Sequence, residues 1–434
     1  MIPNRLEIAD NIQLSAIRTD KFKAGLLTFT VDLPLTKKNI AYNMLLTAVL
    51  KRGTESYPTI AELNKRLDEL YSSSVDIRSS RLGKNLTLTI SADMLDDQYV
   101  PDGTDVLGGI LDLVAETIRS PKLEDGCFPE STVEQEKKFL IESINSVINN
   151  TRSYASSRLS ELMFVNDNEF PTLEELKEIV LSIDRISLTR FHNELWRRSP
   201  LRIFYIGGLS ENVLSQKLIS VFAPWNTENV KSPVLPYPEP VCEYKAVTEQ
   251  MPVSQGKLAI GFKTGVCIGN DDSQYTAIVL NEIFGGSAAS KLFMNVREKL
   301  SLCYYCSSSY DRYTGTLTVS SGIENKNRQI AEKAILSELN DMKQGRISIA
   351  ELDSAKKSLL NGYRQINDSP YDLQSYYSNR EFFGFTDDIE TAKSKVSAVT
   401  TDDISKLAKR LVCDSVFFVE GIADSREEDG DLDE

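Results

Sequence analysis

Histidine is almost missing from this chain: His192 is the single one in 434 residues. A zinc site draws three or four ligands from histidine, cysteine and carboxylate side chains, so one histidine and scattered cysteines cannot build an autonomous zinc-hydrolase centre. Long apolar runs are missing too. No window reaches the roughly 18 to 20 residues a membrane-spanning helix needs, and Met1-Ile-Pro-Asn-Arg-Leu-Glu lacks the basic-then-apolar build of a secretion signal, which gives a cytoplasmic expectation. Cysteine is sparse, six residues at 127, 242, 267, 303, 306 and 413; that is no disulfide framework and fits a reducing compartment. Cys303 and Cys306 form a C-x-x-C in a strand-like stretch, where residues three apart point to opposite faces. The expectation there is two small residues packed on either side of a strand, sharing neither a metal nor a disulfide.

Positive charge is in deficit. With 49 Lys and Arg against 63 Asp and Glu the formal charge is −14, which disfavours nucleic acid or an anionic membrane as the main partner. Residues 424–434 alone carry seven acidic residues against one Arg and read as a solvated acidic tail. The remaining composition, 41% apolar and 26% charged, is ordinary for a globular chain, and the length exceeds what one compact core holds.

What is present is an internal repeat. Leu63, Leu67 and Glu69 fall on Leu292, Val296 and Glu298 at one constant offset, and Thr87-Leu-Thr with Ser91 falls on Thr316-Leu-Thr with Ser320. Both copies read as amphipathic helix, strand, polar turn, alternating strand. A second pair of blocks, 183–207 and 397–421, repeats helix then apolar strand and ends at Gly207 and Gly421. Between the halves, residues 224–240 hold five prolines in seventeen positions; proline fixes φ and restricts the residue before it, so this stretch is an extended linker. The expected division is a first domain over 1–226, a linker over 227–244, a second domain over 245–423 and the tail, with strands over 21–32, 85–92, 257–264 and 315–322 in an α+β arrangement. Residues 131–164 place Leu140, Ile144, Val147 and Ile148 at helical spacing and predict one long helix buried in its own half. Asp368-Ser-Pro-Tyr-Asp-Leu373 predicts a turn that interrupts another helical run.

The run Phe284-Gly-Gly-Ser-Ala-Ala-Ser-Lys-Leu-Phe-Met-Asn-Val-Arg-Glu-Lys-Leu-Ser-Leu-Cys-Tyr304 resembles the Arg/Tyr element of pitrilysin/insulinase (M16) metallopeptidases, with Arg297 and Tyr304 at the family's seven-residue spacing. The resemblance covers about 20–422 and looks most like a non-catalytic bacterial subfamily whose members carry the name elongation factor P 5-aminopentanol modification-associated protein. It implies two homologous α/β-sandwich halves closing as a clamshell around a chamber. It also implies an inverted zinc motif, His-x-x-Glu-His, before a Lys-Gly-Thr-like turn. Here that turn is Lys51-Arg-Gly-Thr54, and counting back places Met44, Thr47 and Ala48 where His, Glu and His should stand. None of the three is a ligand of the zinc-binding kind or a general base. Glu142 lies nearest the family's third-ligand position, and His192, far from all of this, reads as structural.

Only the second half carries the Arg/Tyr pair, since the equivalent first-half positions are Asp68 and Val75. In the family the Tyr hydroxyl stabilises the oxyanion on the scissile carbonyl and the Arg holds the substrate backbone. The resemblance therefore implies a subunit that is inactive alone and binds no cofactor. Zinc would be expected only in a His-x-x-Glu-His-bearing M16 sibling, the implied partner, with a second copy of this chain as the alternative and a peptide as substrate. The rival reading is a degenerate homologue that grips peptide or protein without cleavage.

Overall fold

The computed structural model describes residues 1–164, 169–225, 227–228, 233–238, 240–241, 243–269 and 272–422. The expected acidic tail lies outside them. The chain forms two compact units, each an α+β assembly on one mixed sheet.

The first unit holds β1 (Asn4–Ala9), β2 (Ile12–Arg18), β3 (Ala24–Pro34), β4 (Ser74–Leu82), β5 (Asn85–Leu95) and β6 (Leu201–Gly207) in the order β1-β2-β6-β3-β5-β4. β2 and β6 run parallel and the other neighbours antiparallel. Residues Gly25 to Val31 of the central strand β3 are all buried. A strand covered on both faces reads as a continuous apolar run, which explains why its alternation is weak.

The second unit holds β7 (Lys245–Met251), β8 (Gly256–Lys263), β9 (Cys303–Asp311), β10 (Thr316–Ile323) and β11 (Val412–Gly421) in the order β7-β11-β8-β10-β9. Replacing β2, β6, β3, β5 and β4 by β7, β11, β8, β10 and β9 gives the same order. The one parallel pair, β7 with β11, also occupies the matching place. The repeat seen in the sequence is thus a repeat of topology: helix Ile60–Glu69 precedes β4 and β5 as helical segment Leu292–Lys299 precedes β9 and β10, and helices Arg185–Arg198 and Thr401–Arg410 precede β6 and β11.

Two helices belong to the unit that the chain order would not assign them. The compact units comprise Met1–Ile144, Pro171–Leu235 and Gln365–Asp388 on one side, and Asn145–Phe170, Pro236–Arg364 and Ile389–Glu434 on the other. A cut at the proline-rich stretch, as in 1–226 and 245–423, leaves out this exchange. The single long helix expected over 131–164 is instead two, Glu130–Ser146 and Thr151–Met163, separated at Val147–Asn150, where Asn150 caps the new start by accepting from Ser153 N at 3.0 Å. Of the expected apolar stripe only Ile144 is buried, and Ile148 is exposed. The second helix does not stay in its own half, because Ala155, Leu159 and Met163 pack with Ala259, Phe417 and Val419 of β8 and β11. The buried Lys263 donates to Met163 O at 3.1 Å, a cation at the carbonyl end of that helix.

The return exchange is helix Pro370–Phe382, started by Ser369 as N-cap with Pro370 in the first turn, where the sequence places a turn. It joins the first unit, where the Arg202 guanidinium lies 4.7 Å from the Phe382 ring centroid and Tyr377 donates to Met1 O at 2.6 Å.

Candidate functional site

Thr36 caps helix Lys37–Leu50 by accepting from Asn39 N, and Met44, Thr47 and Ala48 sit on it at i, i+3 and i+4, all half-buried. The helix therefore presents one face at the metal-motif positions, as the spacing predicts. The groups on that face are a thioether, a hydroxyl and a methyl. Thr47 donates its hydroxyl to Asn43 O at 2.7 Å, which spends it within the helix. The turn that follows depends on Gly53, at φ +148°, where a Cβ would lie 2.6 Å from Tyr57 O.

Glu142, the expected counterpart of a third ligand, points to solvent on helix Glu130–Ser146 with its nearest cation, Lys138, at 4.0 Å. The carboxylate that turns inward on that helix is Glu136, 5% exposed. Arg52 holds it, Nη2 to Oε1 2.5 Å, an ion pair too bent to count as a hydrogen bond. Sequence reading missed Glu136. Its signal is the helical spacing from Val133, also buried, but a Gln-Glu-Lys-Lys run looks solvated until Arg52 is brought alongside. Among the described residues no three His, Cys, Asp or Glu side chains converge as a metal site, and the donors on the motif helix do not fit zinc.

His192 is 3% exposed, edge-on to Phe128 at 5.5 Å and to Trp196 at 6.1 Å, with Nδ1 3.2 Å from Asn193 Oδ1. Burial pushes its pKa down to about 4. It is a neutral packing residue, in agreement with the sequence reading.

The second unit carries Arg297 and Tyr304 as the spacing predicts, the Arg late in Leu292–Lys299 and the Tyr at the start of β9. The helical segments Glu282–Gly286 and Leu292–Lys299 are both wound with π-type turns, the second closing with Leu300 N to Asn295 O at 3.0 Å. Such turns are rare. Gly285 lets the first segment press on β9, since a Cβ there would lie 2.6 Å from Ser308 N. Lys291, 7% exposed at its side chain, anchors the second through Glu351 at 2.7 Å.

Tyr304 owes its position to a β-bulge. Along β10 Gly322 pairs with Tyr305 and Ile323 pairs with Cys303, so Tyr304 is the extra, unpaired residue. Bulges re-aim side chains; Tyr304 is 65% exposed although it sits beside buried Cys306. The equivalent ladder of β4 and β5 runs without interruption, Val75 pairing with Ala92. Arg297, with its guanidinium 4.5 Å from the Phe293 ring centroid and its Nε 3.6 Å from Glu298, is 39% exposed at its side chain. Both side chains of the pair are therefore accessible to solvent.

The bulge also overturns the reading of Cys303 and Cys306. The extra residue resets the alternation, so the two thiols share one side of β9 and shift each other's titration in opposite directions. Both are free thiols, Cys303 half-buried and Cys306 buried. A cavity of about 790 Å³ in the first unit, lined among others by Asp32, Arg202, Phe191 and Phe382, takes in none of the residues singled out from the sequence.

The family described as Peptidase M16 inactive domain matches residues 182–359. The probable inactive metalloprotease YmfF of Bacillus subtilis is 31% identical over 411 residues, spanning 93% of this chain and 95% of that protein. An uncharacterized zinc protease, YmxG, of the same organism is 23% identical over 65% of this chain and 69% of its own length. The crystal structure of a conserved protein from Enterococcus faecalis V583 superposes with a TM-score of 0.89 at 29% identity, covering 98% of this chain and all of that one. By these similarities this chain belongs to the M16 peptidase family as one of its inactive homologues.

Proposed function

We propose that this chain is the non-catalytic subunit of a two-chain M16 peptidase and lends Arg297 and Tyr304 to the zinc centre of a sibling that keeps His-x-x-Glu-His. The observation that carries this reading is the bulge at Tyr304, which the first-unit ladder lacks although the two ladders otherwise match. A strand built only for packing gains nothing from an exposed, unpaired tyrosine. That Bacillus subtilis holds both an inactive-type and a zinc-protease-type relative of this chain is in keeping with such pairing.

The zinc chemistry belongs to the partner, and this chain supplies hydrogen-bond donors. As water adds to a peptide carbonyl, negative charge develops on its oxygen; the Tyr304 hydroxyl donates to that oxygen while Arg297 binds a neighbouring backbone carbonyl of the substrate. Fixed donors aimed at developing charge lower the barrier because they need no reorganisation at the moment of reaction. The test is reconstitution with the His-x-x-Glu-His-bearing sibling of the same organism. Peptide hydrolysis should be absent from this chain alone, weak in the sibling alone and strong in the mixture. Full activity of the sibling by itself would contradict the proposal.

A further inference from the structure

We propose that Cys303 is an oxidation site for hydroperoxides, with Cys306 as the thiol that resolves it into a disulfide enclosing Tyr304 and Tyr305. Three observations converge. The bulge brings the two thiols to one side of β9, where a regular strand would hold them on opposite faces. Their exposure is graded, Cys303 half-buried and reachable by a small oxidant, Cys306 3% exposed and shielded from it. The local field favours a thiolate at the outer position: the hydrogen bond from Cys306, and to a lesser extent the Arg297 guanidinium, lower the Cys303 pKa to about 7, while the same contact raises that of Cys306. Reactive cysteines occupy such electropositive, partly exposed places.

The chemistry balances with a hydroperoxide as the named oxidant. The Cys303 thiolate attacks the terminal peroxide oxygen; an S–O bond forms, the O–O bond breaks, and hydroxide (from hydrogen peroxide) or alkoxide (from an organic hydroperoxide) leaves to be protonated to water or an alcohol. The Cys306 sulfur, losing its proton, then displaces the hydroxyl of the sulfenic acid as water and closes the disulfide. Two thiols are oxidised by two electrons and one peroxide is reduced. Because the bond encloses the bulged residue, its closure resets the position of Tyr304. The thiol chemistry itself does not depend on the role proposed for that tyrosine.

The test treats the reduced, full-length protein at pH 7 with near-stoichiometric hydrogen peroxide, blocks remaining thiols and maps the peptide running from Leu300 to Arg312 by mass. The expected result is loss of two hydrogens from that peptide in the wild type. In Cys306→Ser, trapping by dimedone should occur at Cys303, and in Cys303→Ser the peptide should show neither change. Cys303 should react on the order of tenfold faster than Cys127 and Cys413, the other half-buried cysteines on described residues. Reaction of Cys303 no faster than those two would overturn the site, and trapping at Cys303 in the wild type without disulfide would overturn the resolving role. If Cys306→Ser does not fold, the wild-type mass and relative rates still decide.

Discussion

Arg52 Nη2 lies 2.5 Å from Glu136 Oε1, and this pair sits where helix Lys37–Leu50 ends and its turn begins. A buried carboxylate needs a cation. Here a guanidinium from the chain itself supplies it.

Removing that guanidinium leaves an uncompensated buried charge. Arg52→Ala should destabilise the protein by about 2 to 4 kcal/mol, less than a fully buried pair because the Arg52 side chain is 33% exposed. Adding Glu136→Gln should restore much of the loss. Urea denaturation of the two single variants and the double variant measures the coupling; additive losses would show that the residues do not act as a pair.

The single histidine gives a clean pH signature. A base whose folded pKa is depressed to about 4 from 6.5 is neutral in the fold, whereas the unfolded chain takes up its proton first as pH falls. Its contribution is therefore complete above about pH 6.5 and is lost on the way down to pH 4, at most on the order of 3 kcal/mol. His192→Phe, set between Phe128 and Trp196, should flatten the stability curve from pH 6.5 to about 5.5, above the range where ordinary carboxylates titrate. An unchanged slope in that variant would rule the histidine out as its cause.

The exchanged helix Thr151–Met163 can be tested at one contact. A Cβ on Gly261 would run into the sulfur of Met163, a residue 2% exposed and unable to swing into solvent. Gly261→Ala should cost about 1 to 3 kcal/mol and Met163→Ala about 2 to 5 kcal/mol. Combined, they should cost less than their sum, because the cavity left by one receives the methyl of the other. Strict additivity in thermal or chemical unfolding would mean that the two sites do not touch.

Metal binding offers a direct check on the motif helix. Protein purified without a histidine tag should hold far less than one zinc per chain, since Met44, Thr47 and Ala48 offer no usable donor set. Elemental analysis after dialysis measures it, and one tightly held zinc would contradict the reading of the first unit.

Most of the fold was legible because it rests on local pattern. The matching blocks around Leu63 and Leu292, and the glycine-terminated strands ending at Gly207 and Gly421, fixed the two-sheet plan. The helix under Met44, Thr47 and Ala48 and the placing of Arg297 and Tyr304 followed from the resemblance to M16 peptidases, whose motif spacings these positions match. What escaped depends on distant partners. The break at Val147–Asn150 is dictated by where Ala155 and Leu159 find Phe417. The bulge is a matter of register between β9 and β10, which alternation within one strand cannot reveal, and so the two cysteines were set on the wrong faces. Glu136 looked solvated because Arg52, distant in the chain, is what permits its burial.

The central claim, donation of a catalytic hydroxyl in trans, is tested most directly by Tyr304→Phe in the complex reconstituted with its zinc-bearing sibling. The hydroxyl makes no hydrogen bond to any described residue, and the ring stands exposed on the bulge, so folding and subunit association should be nearly unchanged. Turnover of a fluorogenic peptide should nevertheless fall about a hundred- to a thousandfold in kcat, the cost of one oxyanion donor, while Arg297→Ala should also raise KM. Full kcat in the Tyr304→Phe complex would contradict the account and leave a peptide- or protein-binding scaffold as the better description of this chain.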